Sequence, residues 1–315
     1  MGNIYILCPA LVQTGGPEAL HQLCYYLNNL NQQAYMIYYG QYSTSPVAPL
    51  YLKYNTKYVD VIEDSIEHTL VVPEVMIPIL RQFKNIKKVI WWLSVDNYLV
   101  GENFKKCHSG LNYYNYTTPD IIHAAQSYYA INFLEKSGVN SKNIFKLFDP
   151  VNDTYRQNAK DLFKYSRNNV VLFNPKKGID FTKALINASK EITWIPLNQP
   201  TQQEVAELML KSKVYVDFGH HPGRDRLPRE AAMSGCCIIT SKRGSAKFYQ
   251  DVLIADEYKF EDQQANINPI LDKIQEIFSN YESEKQKFSD YRMMLMNEEK
   301  TFKQHIIKLF NLKDY

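Results

Sequence analysis

The chain has 315 residues, 45% of them hydrophobic and 22% charged, with a formal net charge of +3. That length is too great for one simple core and suits two domains, and the composition is that of an ordinary globular protein. The charge is too mild for a nucleic-acid partner, which a basic stripe would announce, and no apolar run approaches the roughly 20 residues of a membrane span.

In chain order, NIYILC reads as a strand with no basic segment before it, so it is not a signal peptide. PEALHQLCYYLNNL reads as a helix, AYMIYY and HTLVV as strands, EVMIPILRQF as a helix and KKVIWWLSV as a strand. DIIHAAQ is a further strand, followed by a helix that Ser127 caps and Gly138 stops. The strands are continuous apolar runs, as expected where both faces of a parallel sheet are covered. After Asp149 to Asn158 the alternation restarts: strands NVVLFN, EITWIPL, KVYVDFG and CCIIT are interleaved with helices DFTKALINAS, TQQEVAELMLKS and LPREAAMSG. The tail from Asn268 to Phe310 is helical by period. The reading is an α/β chain of two Rossmann-like domains, 1–150 and 151–290, facing across a cleft. Residues 291–315 form a helical tail that packs back on the first domain.

The five cysteines, Cys8, Cys24, Cys107, Cys236 and Cys237, are odd in number and show no CxxC spacing. They predict buried reduced thiols and a cytoplasmic protein. The tyrosines, 24 in all, suit sugar-binding surfaces, but compositional drift explains them equally well.

Open parallel sheets bind ligands beyond the carboxyl ends of their strands, so the loops after strands matter most. Gly15 and Gly16 follow the first strand and open a helix. They permit positive φ and close ligand approach, or they simply make a tight turn. Lys176, Lys177 and Gly178 follow NVVLFN; the lysines either neutralise a diphosphate or sit solvated in a turn. Arg224, Asp225 and Glu230 follow KVYVDFG. Glu230 can accept from two vicinal hydroxyls such as those of a ribose, or merely complement a helix dipole, and the arginines can hold phosphate or pair with Asp217 and Asp225. Gly244 and Ser245 follow CCIIT and either cover a donor or form a plain turn. Asp96 and His123, near strand ends of the first half, are candidate bases for an acceptor hydroxyl. No metal-ligand spacing, Gly-x-Ser-x-Gly elbow, phosphate-loop signature or strand-following GxGxxG is present, which argues against hydrolases, phosphate-loop kinases and dehydrogenases.

The segments TGGPEALHQL, QSYYAINFLEKSGV, FNPKKG and PREAAMSGCCIIT together resemble the GT-B glycosyltransferases, in particular their bacterial family 1 and family 4-like group. The resemblance spans nearly the whole chain. It implies a nucleotide-sugar donor, with Glu230 on the ribose, Lys177 on the diphosphate, and Gly15 and Gly16 bordering the donor phosphates and acceptor. It implies a glycan or lipid-linked acceptor for a cell-surface polysaccharide, no obligatory metal, and peripheral contact with the inner face of the membrane. Many retaining members carry a second glutamate eight positions before the ribose-binding one. Here that position is Pro222, which leaves Asp225 or Asp217 as replacements and a non-catalytic binding subunit as the alternative.

Overall fold

The computed structural model describes residues 2–100, 105, 114–199 and 201–313. The chain forms two compact units. Unit 1 is Met1–Asp149 with Pro222–Arg224 and Lys300–Tyr315; unit 2 is Pro150–His221 with Asp225–Glu299.

Unit 1 is built from β1 (Asn3–Pro9), α1 (Gly15–Asn29), β2 (Gln33–Tyr39), β3 (Thr69–Pro73), β4 (Lys87–Trp92), α2 (Val95–Leu99), β5 (Ile121–Ala125), α3 (Tyr128–Lys136) and β6 (Ile144–Lys146). The sheet order is β2-β1-β3-β4-β5-β6, and every pair is parallel. Side chains alternate across a strand, and both sides of this one are covered. Ile4, Ile6 and Cys8 of β1 enter one core cluster, and Tyr5 and Leu7 enter another. The first cluster includes Phe302 and Ile306 of the tail, and Phe302 stacks 6.2 Å from Trp91. Ser127 caps α3 by accepting from the Ala130 N–H. The segment expected as a helix from Glu74 is instead 3₁₀, Glu74–Gln82, with Pro78 inside it. Proline has no N–H to give the preceding turn and its ring crowds an α-helical carbonyl.

Unit 2 contains α4 (Asp153–Asn158), β7 (Asn168–Phe173), α5 (Ile179–Ala188), β8 (Thr193–Pro196), α6 (Gln202–Lys211), β9 (Ser212–Asp217), α7 (Arg226–Met233), β10 (Cys237–Ser241), β11 (Lys259–Phe260) and α8 (Ile267–Ser279). Its sheet order is β11-β10-β9-β7-β8, again parallel. A box formed by Thr201 and Glu204 starts α6, and Ile267, Ile270, Ile274 and Ile277 of α8 face the core at helical spacing. The helices Tyr281–Gln286, Ser289–Met296 and Glu298–Phe310 complete the tail.

Both sheets share one topological feature. The first strand of each lies between the second and the third, so successive crossovers leave it in opposite directions. That opens a crevice at the carboxyl ends of β1 and β3 in unit 1, and of β7 and β9 in unit 2.

Candidate functional site

In unit 2 the loops after β7, β9 and β10 meet at that crevice. Gly178 caps α5 with φ +60, and a Cβ there would collide with the Phe218 carbonyl and lie 2.8 Å from the Gly219 nitrogen. Only glycine fits such a left-handed position pressed on backbone. Gly244, at φ +49, is packed as tightly on the carbonyls of His220 and His221. The Ser245 N–H donates to the His221 carbonyl at 2.8 Å, and the Ser241 hydroxyl donates to the Gly219 carbonyl at 2.9 Å.

Charged side chains fill this junction. Lys177 Nζ donates to both carboxylate oxygens of Asp225, at 3.1 and 3.0 Å. Asp225 is the N-cap residue of α7. His221 is fully buried, with Nδ1 3.4 Å from Asp225 Oδ2 and Nε2 3.7 Å from Asp217 Oδ1. Nε2 also donates to the Asp217 carbonyl at 3.2 Å. Asp217 in turn accepts from the Tyr215 hydroxyl at 2.7 Å and from the Gly219 N–H at 2.9 Å. Burial opposes ionisation of Asp225, but His221 and Lys177 outweigh it and hold its pKa below the usual carboxylate value. The Tyr215 phenol is pushed well above its ordinary pKa, first by burial and then by Asp217, with Asp225 and Glu230 adding to the effect.

Glu230 lies on α7, the helix whose N-cap residue Asp225 holds Lys177. It follows Asp225 by five residues of α7, about 7.5 Å of helix axis. It is 5% exposed and sits beyond the first turn of α7, so it does not merely complement the dipole at the helix start. Ala231 and Ala232 are fully buried beside it, and such small side chains let α7 lie close on the sheet. Lys176 is exposed, and its N–H donates to the Asn174 side chain at 2.9 Å. Asp217 and Asp225, the two acids weighed against the missing glutamate, are both occupied within this network.

The remaining candidates belong to unit 1. Gly15 and Gly16 are the first residues of α1, and neither has the positive φ expected of them. They are already helical, and a Cβ on Gly16 would meet Leu93 at an ordinary 3.6 Å. Asp96 lies in the first turn of α2, half-buried, and accepts from the Tyr129 hydroxyl at 2.6 Å. His123 is corrected outright. It is fully buried on β5, its Nδ1 accepts from Trp92 Nε1 at 2.9 Å and its Nε2 faces the Tyr116 carbonyl at 3.0 Å. With both nitrogens engaged and burial holding its pKa down to about 4, it is a core residue and not a base facing a substrate. Arg224 is 6% exposed; its N–H donates to Gln126 at 3.2 Å and its guanidinium lies 5.1 Å from the Phe148 ring.

Glu74 was not picked out from the sequence. It stands just past β3, at the unit 1 crevice, 2% exposed, and accepts from the Leu93 N–H at 2.9 Å. Burial raises its pKa to about 7, against the backbone N–H groups of Leu93, Glu74 and Ser94. Its sequence signal was its place immediately after a strand, hidden by reading the segment as a helix.

Asp217, His221 and Asp225 also bring one possible ligand atom each within 4.8 Å. The two carboxylates lie against different ring nitrogens, however, and those nitrogens point to different edges of the imidazole. The set is a chain of ion pairs rather than a cage around one ion. A groove of about 720 Å³ lined by Arg167, Lys213, Phe278, Tyr281 and Lys285 lies at the amino ends of β7 and β9, opposite the loops above. Its cations are engaged: Arg167 donates to the carbonyls of Met209, Ser212 and Ser234, and Lys213 to that of Phe278. Cys8, Cys24, Cys236 and Cys237 are free and buried, and Cys107 lies outside the described residues. Among the described residues no helix is long and apolar enough to cross a membrane.

No protein-family model and no curated protein matches the sequence. Solved structures do match over almost the whole chain. HepE of Anabaena in complex with UDP superposes with a TM-score of 0.63 at 10% identity, covering 99% of this chain and 100% of its own. Sucrose-phosphate synthase from Thermosynechococcus elongatus gives a TM-score of 0.68 at 13% identity, with 99% and 98% covered. WaaG, a glycosyltransferase involved in lipopolysaccharide biosynthesis, gives 0.60 at 11% identity, with 96% and 99% covered. The fold is that of the GT-B glycosyltransferases. The GT-B fold comprises two Rossmann-like domains, in keeping with the two parallel sheets of this chain.

Proposed function

We propose that this protein is a nucleotide-sugar-dependent glycosyltransferase that moves a hexosyl group to a glycan or cell-surface polysaccharide precursor. The observation that carries the reading is the meeting of Lys177, the Asp225 cap of α7 and the Gly244–Ser245 turn at the crevice of unit 2. One cation and the N-terminus of α5 are gathered there, which suits the two negative charges of a diphosphate. Glu230, on the same helix as Asp225, would accept from the ribose hydroxyls. Similarity to structures solved with UDP and with UDP-glucose supports the same donor class.

In this reading the leaving nucleoside diphosphate is stabilised by Lys177 and helix N-termini rather than by a metal ion. Lys176 and Ser245 are assigned supporting contacts to the donor. Asp96 is the remaining candidate base for the acceptor hydroxyl, because its carboxylate is only half-buried and already takes a hydroxyl hydrogen bond. Buried free thiols suit the cytoplasm, at the inner face of the membrane where the acceptor is lipid-linked.

One observation favours a second reading, a subunit that binds nucleotide or glycan without turnover. Pro222 stands where retaining enzymes carry an acid, and Asp217 and Asp225 are both held by internal partners. Release of nucleoside diphosphate from UDP-, ADP- and GDP-sugars, with and without oligosaccharide acceptors, separates the two. The transferase reading predicts release that an acceptor accelerates. Binding with no release in any mixture would leave the binding subunit.

A further inference from the structure

Asp217, His221, Asp225 and Lys177 form a row of alternating charge through the core of the unit 2 site. Lys177 is the only one of the four with a side chain largely reached by solvent, at 37%, against 16% for Asp225, 1% for Asp217 and 0% for His221. A lysine chelated by a carboxylate is not free to meet a phosphate. Pulling it away would leave a mostly buried carboxylate without its cation, an expensive state. His221 offers a way out. Its Nδ1 already faces Asp225 Oδ2 at 3.4 Å, longer than a close charge-assisted hydrogen bond, so there is room for that pair to tighten. Its other edge is fixed by Asp217, and its backbone, at φ +48, is fixed by the Ser245 N–H.

We propose that His221 is a positioning residue that takes over as the counterion of Asp225 when a diphosphate draws Lys177 away. The inference rests on the reading of these loops as a nucleoside-diphosphate site. It makes ligand binding proton-linked and assigns His221 a role in donor affinity that Lys177 cannot fill alone.

The charges around the ring come from every element packed on it. β9 supplies Asp217, with the Tyr215 hydroxyl bonded to it, α7 starts at Asp225, and the loop after β7 supplies Lys177, which is bonded to Asp225. The loop after β10 contributes the Ser245 N–H and carries Lys242 and Arg243, the latter paired with Asp262. Burial alone would drive the imidazole to its neutral form, but Asp217 and Asp225 outweigh it, and His221 keeps its proton to a higher pH than an ordinary histidine. Moving Lys177 onto phosphate leaves Asp225 leaning on His221, which raises the affinity of the ring for its proton further. Above the pKa of the free protein, binding therefore takes up a proton, and affinity falls as pH rises until the pKa of the complex is passed.

The test is calorimetric titration of UDP, ADP and GDP into the full chain between about pH 6 and 9, for the wild type and His221→Asn. Asparagine is neutral and tolerates positive φ, which protects the fold. Comparing the two proteins at each pH cancels the ionisation of the ligand itself. The wild type should bind roughly tenfold tighter at the acid end, as one pKa unit implies, and the advantage should fade at the alkaline end. Repeating the pair in an Asp225→Asn background removes the anion that His221 serves, and the pH-dependent advantage should vanish there. A ratio that does not change with pH, or one that survives Asp225→Asn, overturns the role of His221 while leaving the diphosphate site standing. Failure of every nucleotide to bind the wild type at any pH overturns the site reading itself, and this inference with it.

Discussion

Lys177 and Asp225, 48 residues apart, are joined through both carboxylate oxygens at 3.0 and 3.1 Å. The pair ties the loop after β7 to the cap of α7 at the one end of the unit 2 sheet where the strand order opens a crevice. Lys177→Met should therefore lower nucleoside-diphosphate affinity while sparing the fold, because His221 remains beside Asp225. A hydrogen bond to a charged group is worth about 1.5–3 kcal/mol, so the loss should be roughly tenfold to a hundredfold. Titration calorimetry reads it; an unchanged affinity would remove Lys177 from the site.

Gly178→Ala tests whether the loops truly interlock. The new Cβ would face both a left-handed backbone and the Phe218 carbonyl. A non-glycine residue held in that region costs about 1–3 kcal/mol before the collision is counted. The urea midpoint should drop accordingly, and a midpoint equal to that of the wild type would mean that the loop after β7 does not pack on Phe218 and Gly219.

Much of this arrangement was legible in the sequence. The strands announced themselves as unbroken apolar runs because both faces of each sheet are buried, as the split of Ile4, Ile6 and Cys8 from Tyr5 and Leu7 shows. Lys177, Gly178 and Glu230 were singled out because they follow strands. The partnership of His221 was not found. Asp217, His221 and Asp225 do stand four apart, a spacing that suggests one helix face. Here the chain turns through a loop instead, with His221 at positive φ, so the contact depends on a bend that spacing does not encode. His123 misled for the opposite reason. Its place near a strand end looked functional, while the Trp92 indole and the Tyr116 carbonyl that satisfy it lie on other segments.

His123 and His221, both fully buried, should titrate on opposite sides of 6.5, the ordinary value. His123 has a depressed pKa of about 4, so it stays neutral in the folded state well into acid. Its contribution to stability is present above 6.5 and lost as pH falls toward 4. His221 is raised, so its contribution is present below 6.5 and lost as pH climbs through its folded pKa. Nitrogen-15 chemical shifts of the histidine rings resolve both, and a His123 that charges near 6.5 would contradict the hydrogen-bonded core described above.

Glu74 gives a separate handle on unit 1. Its pKa rises from 4.5 to about 7, first through burial. A group raised in the folded state favours folding below its unfolded pKa and loses that favour as pH climbs to the folded one. Replacing it with glutamine keeps an acceptor for the Leu93 N–H and removes the buried charge. Glu74→Gln should stabilise the fold above pH 7 by an amount approaching about 3 kcal/mol, read as a higher urea midpoint, and change it little near pH 4.5. A variant less stable than the wild type at both ends would show that the carboxylate is wanted in its charged form.

The central claim is that unit 2 holds a nucleoside diphosphate between Lys177 and Glu230. Glu230 makes the sharpest probe, since it is assigned to the ribose and lies outside the Lys177–Asp225–His221 row. Titration of UDP, ADP and GDP into the wild type and into Glu230→Ala measures the claim directly. The account predicts saturable binding of at least one nucleotide by the wild type and a loss of roughly tenfold or more in the variant. Equal binding by the two proteins, or none by either, would contradict it.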